Sequence, residues 1–251
     1  MKKTFYAVIC LTIMQKATIS ISNAQTNLKP TPANVTIDGD AKEWADFTPY
    51  ENGHSKVNYT IRNDKDNLYL VVKTKDMILQ SFILNWGGIT FGIDTKGKKK
   101  ATNSITFPII YGTKPTLFRN NVEMQQAIAA SKAKKIQVVG FKTISDEQIT
   151  TFNTNGIKVA ISYDADNNLV YEEAIPLALF NAGEQIDKQW AFNVKINGVD
   201  EFNDQTSNVK VISPGSNSMG RDPGTGQSPG FGRNTIPPID FWVKFNLAKT
   251  P

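Results

Sequence analysis

Cysteine is almost missing from this chain of 251 residues, and the only one is Cys10. An intrachain disulfide is therefore excluded, as is a thiolate metal site in the body of the chain. Histidine is as scarce. His54 stands alone in a Glu-Asn-Gly loop with no Gly-x-Ser-x-Gly elbow to accompany it. That leaves too little material for a His-built metal site or a Ser-His triad. Neither a phosphate loop nor a dinucleotide fingerprint occurs. Beyond the first residues, no apolar stretch approaches the roughly 20 residues of a membrane-spanning helix.

Those first residues read as an export signal. Lys2 and Lys3 precede a ten-residue apolar run, Phe5 to Met14, and Ser22-Asn23-Ala24 puts small residues where a signal peptidase inspects. Cleavage after Ala24 is expected, leaving a secreted or periplasmic product. Cys10, behind Val8-Ile9, is a poor match to a lipid-attachment site. The leader holds three of the 28 basic residues and no acid, so 25 face 23 acidic ones in the rest of the chain. So even a balance gives no case for nucleic acid as a partner.

From Gln25 to Pro251 the sequence fits one all-β domain, long enough to bury a core without staples. Val57 to Ile61 alternates apolar and polar residues, the period of a half-buried strand. A turn cluster, Asn63 to Asn67, separates it from a second strand, Leu68 to Lys73. Further strands are expected at Ile89–Ile93, Ser104–Tyr111, Ile136–Phe141, Gly156–Ser162, Leu169–Ile175, Trp190–Ile196, Val209–Ile212 and Phe241–Phe245. Many short strands between Gly, Asn, Asp and Pro turns predict an antiparallel β-sandwich of jelly-roll type. One helical excursion is expected over Asn121–Lys134, and a helical turn over Pro176–Phe180. Ser213 to Pro238 is too rich in Gly, Pro, Ser and Asn for a strand and reads as a long loop.

Five blocks, in order, carry a likeness. They are Ile37-Asp38-Gly39-Asp40 with Glu43-Trp44, Leu68-Tyr69-Leu70 with Lys73 and Asp76, Trp86 with Ile89 to Asp94, Tyr171 to Pro176, and Phe192 to Asn197. Together they resemble the family 9 carbohydrate-binding modules over about Val35 to Leu247. The resemblance implies a β-sandwich that grips a sugar between two tryptophans, beside charged and amide side chains. Trp86 falls near the first of these positions. Arg221-Asp222-Pro223 matches the motif that comes after the second, although Met219-Gly220 stands where that tryptophan would be. Family members also carry structural calcium, whereas no other cofactor is implied.

A sugar presents CH faces and hydroxyl rims, so its binder needs a flat aromatic platform beside hydrogen-bonding groups. Trp86, next to Gly87-Gly88, reads equally as that platform or as rim packing. Trp44 and Trp190 read as core. Trp242 sits in the closing strand with either face open to burial. Arg221 and Asp222 read as a sugar-reading pair, with Asn197 as an amide contact, Trp242 as a further ligand contact and Phe241 or Phe231 as the replacement aromatic. Asp164-Ala165-Asp166-Asn167-Asn168 has calcium-like spacing but reads better as a hairpin turn. Lys96-Gly97-Lys98-Lys99-Lys100 reads as a solvated hairpin tip. Glu172 and Glu173 point to opposite strand faces and cannot form a catalytic pair.

The resulting expectation is a non-catalytic saccharide binder belonging to a carbohydrate-degrading system. Its alternatives are a sandwich that binds a protein partner, having lost sugar recognition, and a haem-binding sandwich of DOMON type. The haem reading would draw its axial pair from His54 and a methionine such as Met77, Met124 or Met219.

Overall fold

Alternation along the chain translates into two stacked sheets in the computed structural model, which describes residues 27–109, 133–198 and 236–249. The leader, almost all of the expected helix over Asn121–Lys134, the expected strand Val209–Ile212 and most of the loop up to Pro238 lie outside the described residues. The first sheet holds β1 (Lys29–Pro30), β2 (Thr48–Asn52), β3 (Ser55–Asn63), β4 (Asn67–Thr74), β9 (Lys158–Tyr163) and β10 (Leu169–Pro176). Its order is β1-β3-β4-β10-β9, with β2 paired to β3. The second holds β5 (Ile89–Asp94), β6 (Asn103–Phe107), β7 (Lys135–Val139), β8 (Gln148–Thr150), β11 (Gln189–Ile196) and β12 (Asp240–Asn246). Its order is β12-β11-β5-β6-β7-β8. This is the antiparallel sandwich the sequence predicts, with one parallel exception, β1 against β3.

The core lies between the sheets. Val57, Leu70 and Tyr171 from the first sheet meet Phe91, Phe192 and Val194 from the second, all essentially buried. β4 and β10 differ from the half-buried pattern because they are buried on both faces. Tyr69, Val71, Val170 and Ala174 form a second apolar layer with Ala41 and Trp44, which arrive from the segment ahead of β2. Strands covered on both sides read as continuous apolar runs, which is how Leu68 to Val72 is composed; Leu169 to Ile175 is apolar except for the buried pair Glu172 and Glu173.

Glu172 holds that covering segment in place. Its carboxylate accepts from the backbone N–H of Asp38 (2.9 Å) and Gly39 (2.6 Å), and from the indole N–H of Trp44 (2.5 Å). Burial raises the Glu172 pKa against the opposing pull of these donors. Glu173, the next residue, faces the core instead. It accepts from the Tyr171 hydroxyl at 2.7 Å while its other oxygen finds no partner. Burial pushes its pKa up to about 8, so it stands protonated at neutral pH. The opposite-face reading of the two glutamates is what the strand shows.

Three strands and the α-helix are among the elements that escaped the sequence pattern. β2 contains Pro49 and lies on the sheet edge, where a missing N–H is tolerated. β1 and β8 are only two and three residues long. The helix is α1 (Met77–Phe82), capped by the Asp76 carboxylate, which accepts from the N–H of Ile78 and Leu79. It runs on through a π-helical turn, Ile83–Gly87, into β5. An aspartate directly ahead of an apolar run was the available signal.

Candidate functional site

Phe91 and Ile93 point into the core, so the intervening residues of β5 face outward from the second sheet. The registers extend this across its neighbours. One outer row runs Trp242–Asn193–Gly92–Ser104–Val139, and the next runs Asp240–Lys195–Thr90–Thr106–Gln137. The face thus carries mostly small, hydroxyl and amide side chains, with Lys195, Asp240 and Val139 among them and one tryptophan near its rim. Thr90 and Thr106 share a hydroxyl–hydroxyl bond of 2.8 Å. Asn193 donates to the Asp240 carboxylate (2.7 Å) and to the Phe241 carbonyl (3.0 Å), fixing its side chain beside Trp242. Gly92 has no room for more. A Cβ there would lie 3.1 Å from the Ala101 Cβ and 3.2 Å from the Asn193 Cβ.

The four tryptophans have distinct fates. Trp190 and Trp44 are buried, in the inter-sheet core and the covering layer respectively. Trp86 is half-buried in the π-helical turn, packed against the main core with its ring edge-on to Phe82 at 5.4 Å and Gly198 against its Cβ. Trp242 is also half-buried but joins neither apolar cluster. Its strand neighbour Phe241 turns inward to stack on Tyr50 at 4.0 Å, and alternation puts the indole outside. Between Asn193, which pairs with Trp242, and Asn197, beside the Trp86 turn, lie about 13 Å of strand. The two rings do not come together.

Asn197 belongs to the frame of that turn. Its amide nitrogen donates to the Gly87 carbonyl (2.9 Å) and to the Thr90 hydroxyl (2.8 Å), and reaches the Gly88 carbonyl at 3.3 Å. Gly88, at φ 70°, has the backbone of Phe107 and Pro108 where a Cβ would sit, so the space this glycine frees is filled by protein. Arg221 and Asp222 lie outside the described residues.

The lysine hairpin between β5 and β6 is organised from within. Asp94, buried, accepts from the backbone N–H of Lys96 (2.9 Å), Lys98 (2.6 Å) and Lys100 (3.1 Å). Lys96, Lys98, Lys99 and Lys100 all project into solvent. Asp164 behaves similarly in the β9–β10 hairpin. It accepts from the N–H of Asp166 and Asn168 and pairs with Lys73 at 3.0 Å. Its oxygens serve the turn. Among the described residues no three His, Cys, Asp or Glu side chains gather as metal ligands would. His54 is exposed in the β2–β3 turn, and Met77 is exposed at the first position of α1.

Among the described residues a cleft of about 780 Å³ opens at one end of the sandwich near Asn63, Asp64, Asn181 and Asn246. Its polar groups are largely committed. Asn63 bonds both ways with the Ala248 backbone (2.7 and 3.1 Å). Asp64 accepts from the Tyr69 hydroxyl (2.6 Å) and the Asn67 N–H (2.7 Å). Burial pushes Asp64 up, and these bonds outweigh it to hold the carboxyl below its ordinary range. No aromatic residue lines this cleft.

No helix among the described residues is long and apolar enough to cross a membrane. No protein-family model, curated protein or solved structure matches the chain.

Proposed function

We propose that this chain is a non-catalytic saccharide binder whose platform is Trp242 on the outer face of the second sheet. The observation that carries the reading is that Trp242 leaves both apolar clusters and stands on a face of amide and hydroxyl groups. An indole offers a rigid apolar surface for the CH face of a sugar ring, and the Asn193 amide oxygen, the Asp240 carboxylate and the exposed Lys244 supply acceptors and a donor for its rim. The block that resembles the sugar-binding modules at Phe192–Asn197 contributes Asn193 here. Trp86 closes the end of the scaffold, and Asn197 holds the turn that carries it. Glu172 and Glu173 are structural in this reading. Titration of the full chain against neutral and acidic glycans tests it. Trp242→Ala should weaken binding at least about tenfold, as loss of an aromatic anchor does. If no glycan binds at millimolar concentration, or if Trp242→Ala binds as well as the parent, the reading fails.

A second reading, a sandwich that contacts another protein, is favoured by Phe152, which is 95% exposed beyond β8. Under it, glycan titrations are silent and Phe152→Ser, not Trp242→Ala, abolishes partner capture.

A further inference from the structure

We infer that the ligand of the Trp242 face is an anionic polysaccharide, of uronic-acid type, held jointly by the indole and the lysine hairpin. The inference rests on the saccharide reading above and specifies its substrate class. Its first support is placement. The hairpin does not extend away from the sandwich but leans over the outer face: Ala101 sits against Gly92, and a Cβ at Gly97 would meet the Gln189 carbonyl at 2.5 Å. Gly92 and Trp242 occupy the same cross-strand row, separated only by β11, which is about 10 Å at ordinary strand spacing. Lys244, exposed and two residues from Trp242 on the same outer face, pairs across to Ala191 and so to Asp94, around which the hairpin is wrapped. Lysine charge therefore lies along one side of the aromatic platform, at the reach of neighbouring rings of one polymer.

Charge is the second support. Lys96, Lys98, Lys99, Lys100 and Lys244 enter no ion pair among the described residues, while the acid nearest the platform, Asp240, is tied to Asn193. Asp94, which could have neutralised the hairpin from outside, is buried and accepts only its backbone. The cations are left for something else. The third support is conformational. Lys99 has φ 59°, a left-handed backbone that Gly or Asn adopts at lower cost. A lysine standing where a smaller residue fits better marks its side chain as the reason.

The chemistry selects among polyanions. Stacking on Trp242 needs an uncrowded ring face, and a uronic acid keeps that face while carrying its carboxylate at the edge. Ammonium groups act as mobile point charges, which suits carboxylates spaced along a chain better than a fixed bidentate grip. Duplex DNA and densely sulfated polymers would satisfy the lysines without needing the indole.

Binding of the full chain to polygalacturonate and to its fully methyl-esterified form, at low salt, separates these contributions. The acid form should bind at least about tenfold more tightly than the ester, and about 0.5 M NaCl should erase the difference. Lys98→Gln/Lys99→Asn/Lys100→Gln should remove the preference for the acid form. Lys99→Asn alone should raise the melting temperature while weakening binding. Trp242→Ala should lose both polymers. Equal affinity for acid and ester, with Trp242 still required, overturns the inference and leaves the saccharide reading standing. Polygalacturonate binding that survives Trp242→Ala, or is matched by dextran sulfate or duplex DNA, also overturns it, because charge alone is then responsible. If no glycan of any kind binds, the saccharide reading fails and the inference goes with it.

Discussion

The outer face of the first sheet is closed, and that of the second is polar. On the first, Trp44, Ala41 and the strand residues Tyr69, Val71 and Val170 form a dry layer anchored on one carboxylate, Glu172. On the second, Trp242 shares its outer row with Asn193, Gly92 and Ser104 and, among the described residues, joins no apolar cluster. Both faces carry a tryptophan and both lie on well-paired strands. What separates them is the covering segment and the acceptor that holds it. The same residue type is a structural wedge in one place and a candidate platform in the other.

Substitutions sharpen this contrast in descending order of effect on stability. Trp44→Ala should cost about 3–5 kcal/mol, the range for emptying a buried large aromatic site, measured by urea unfolding. Glu172→Gln keeps the shape but puts an NH2 group, which cannot accept, where one carboxylate oxygen was, so at least one of the three bonds is lost, for about 1–3 kcal/mol. If it unfolds no more readily than the parent, the clamp is not what holds the cover.

Glu173 gives a pH test on the adjacent residue. Its folded pKa, about 8, lies above the ordinary 4.5, so the folded state binds the extra proton. Stability from this group is therefore complete below about pH 4.5 and lost as pH rises through about 8. The parent should melt a few degrees lower at about pH 9 than at about pH 5 on this account, and Glu173→Gln should flatten that slope. A slope unchanged in Glu173→Gln assigns it to other groups. Trp242→Ala should do least, within about 1 kcal/mol of the parent by the same urea assay. A larger loss would mean that Trp242 is a second wedge, and the contrast between the faces would disappear.

The architecture was legible in the residues and the site much less so. β3, β4, β5, β10, β11 and β12 start or stop within two residues of where alternation and turn clusters put them, because their side chains meet a continuous core. Pro49 and the brevity of β1 and β8 defeat such patterns. The blocks that carry the family resemblance largely serve the scaffold. Asp38-Gly39 and Trp44 meet the Glu172 of the later block through hydrogen bonds, and Asp76 caps a helix. Trp86 looked equally like platform and packing because a glycine pair allows either. Only the contacts at Phe82, Asn197 and Gly198 show the packing. Trp242 offered no decision at all, since Phe241 and Val243 flank it and strand phase alone chooses the face.

Asp94 holds its hairpin through main-chain donors only. The loop's outline is therefore indifferent to which side chains it displays, much as a frame is indifferent to its picture. Residues 96, 98 and 100 can change identity in descent or by design while the scaffold keeps its course, whereas position 99, at φ 59°, favours Gly or Asn. On the proposed reading, selectivity at this rim can drift by single substitutions that leave folding untouched.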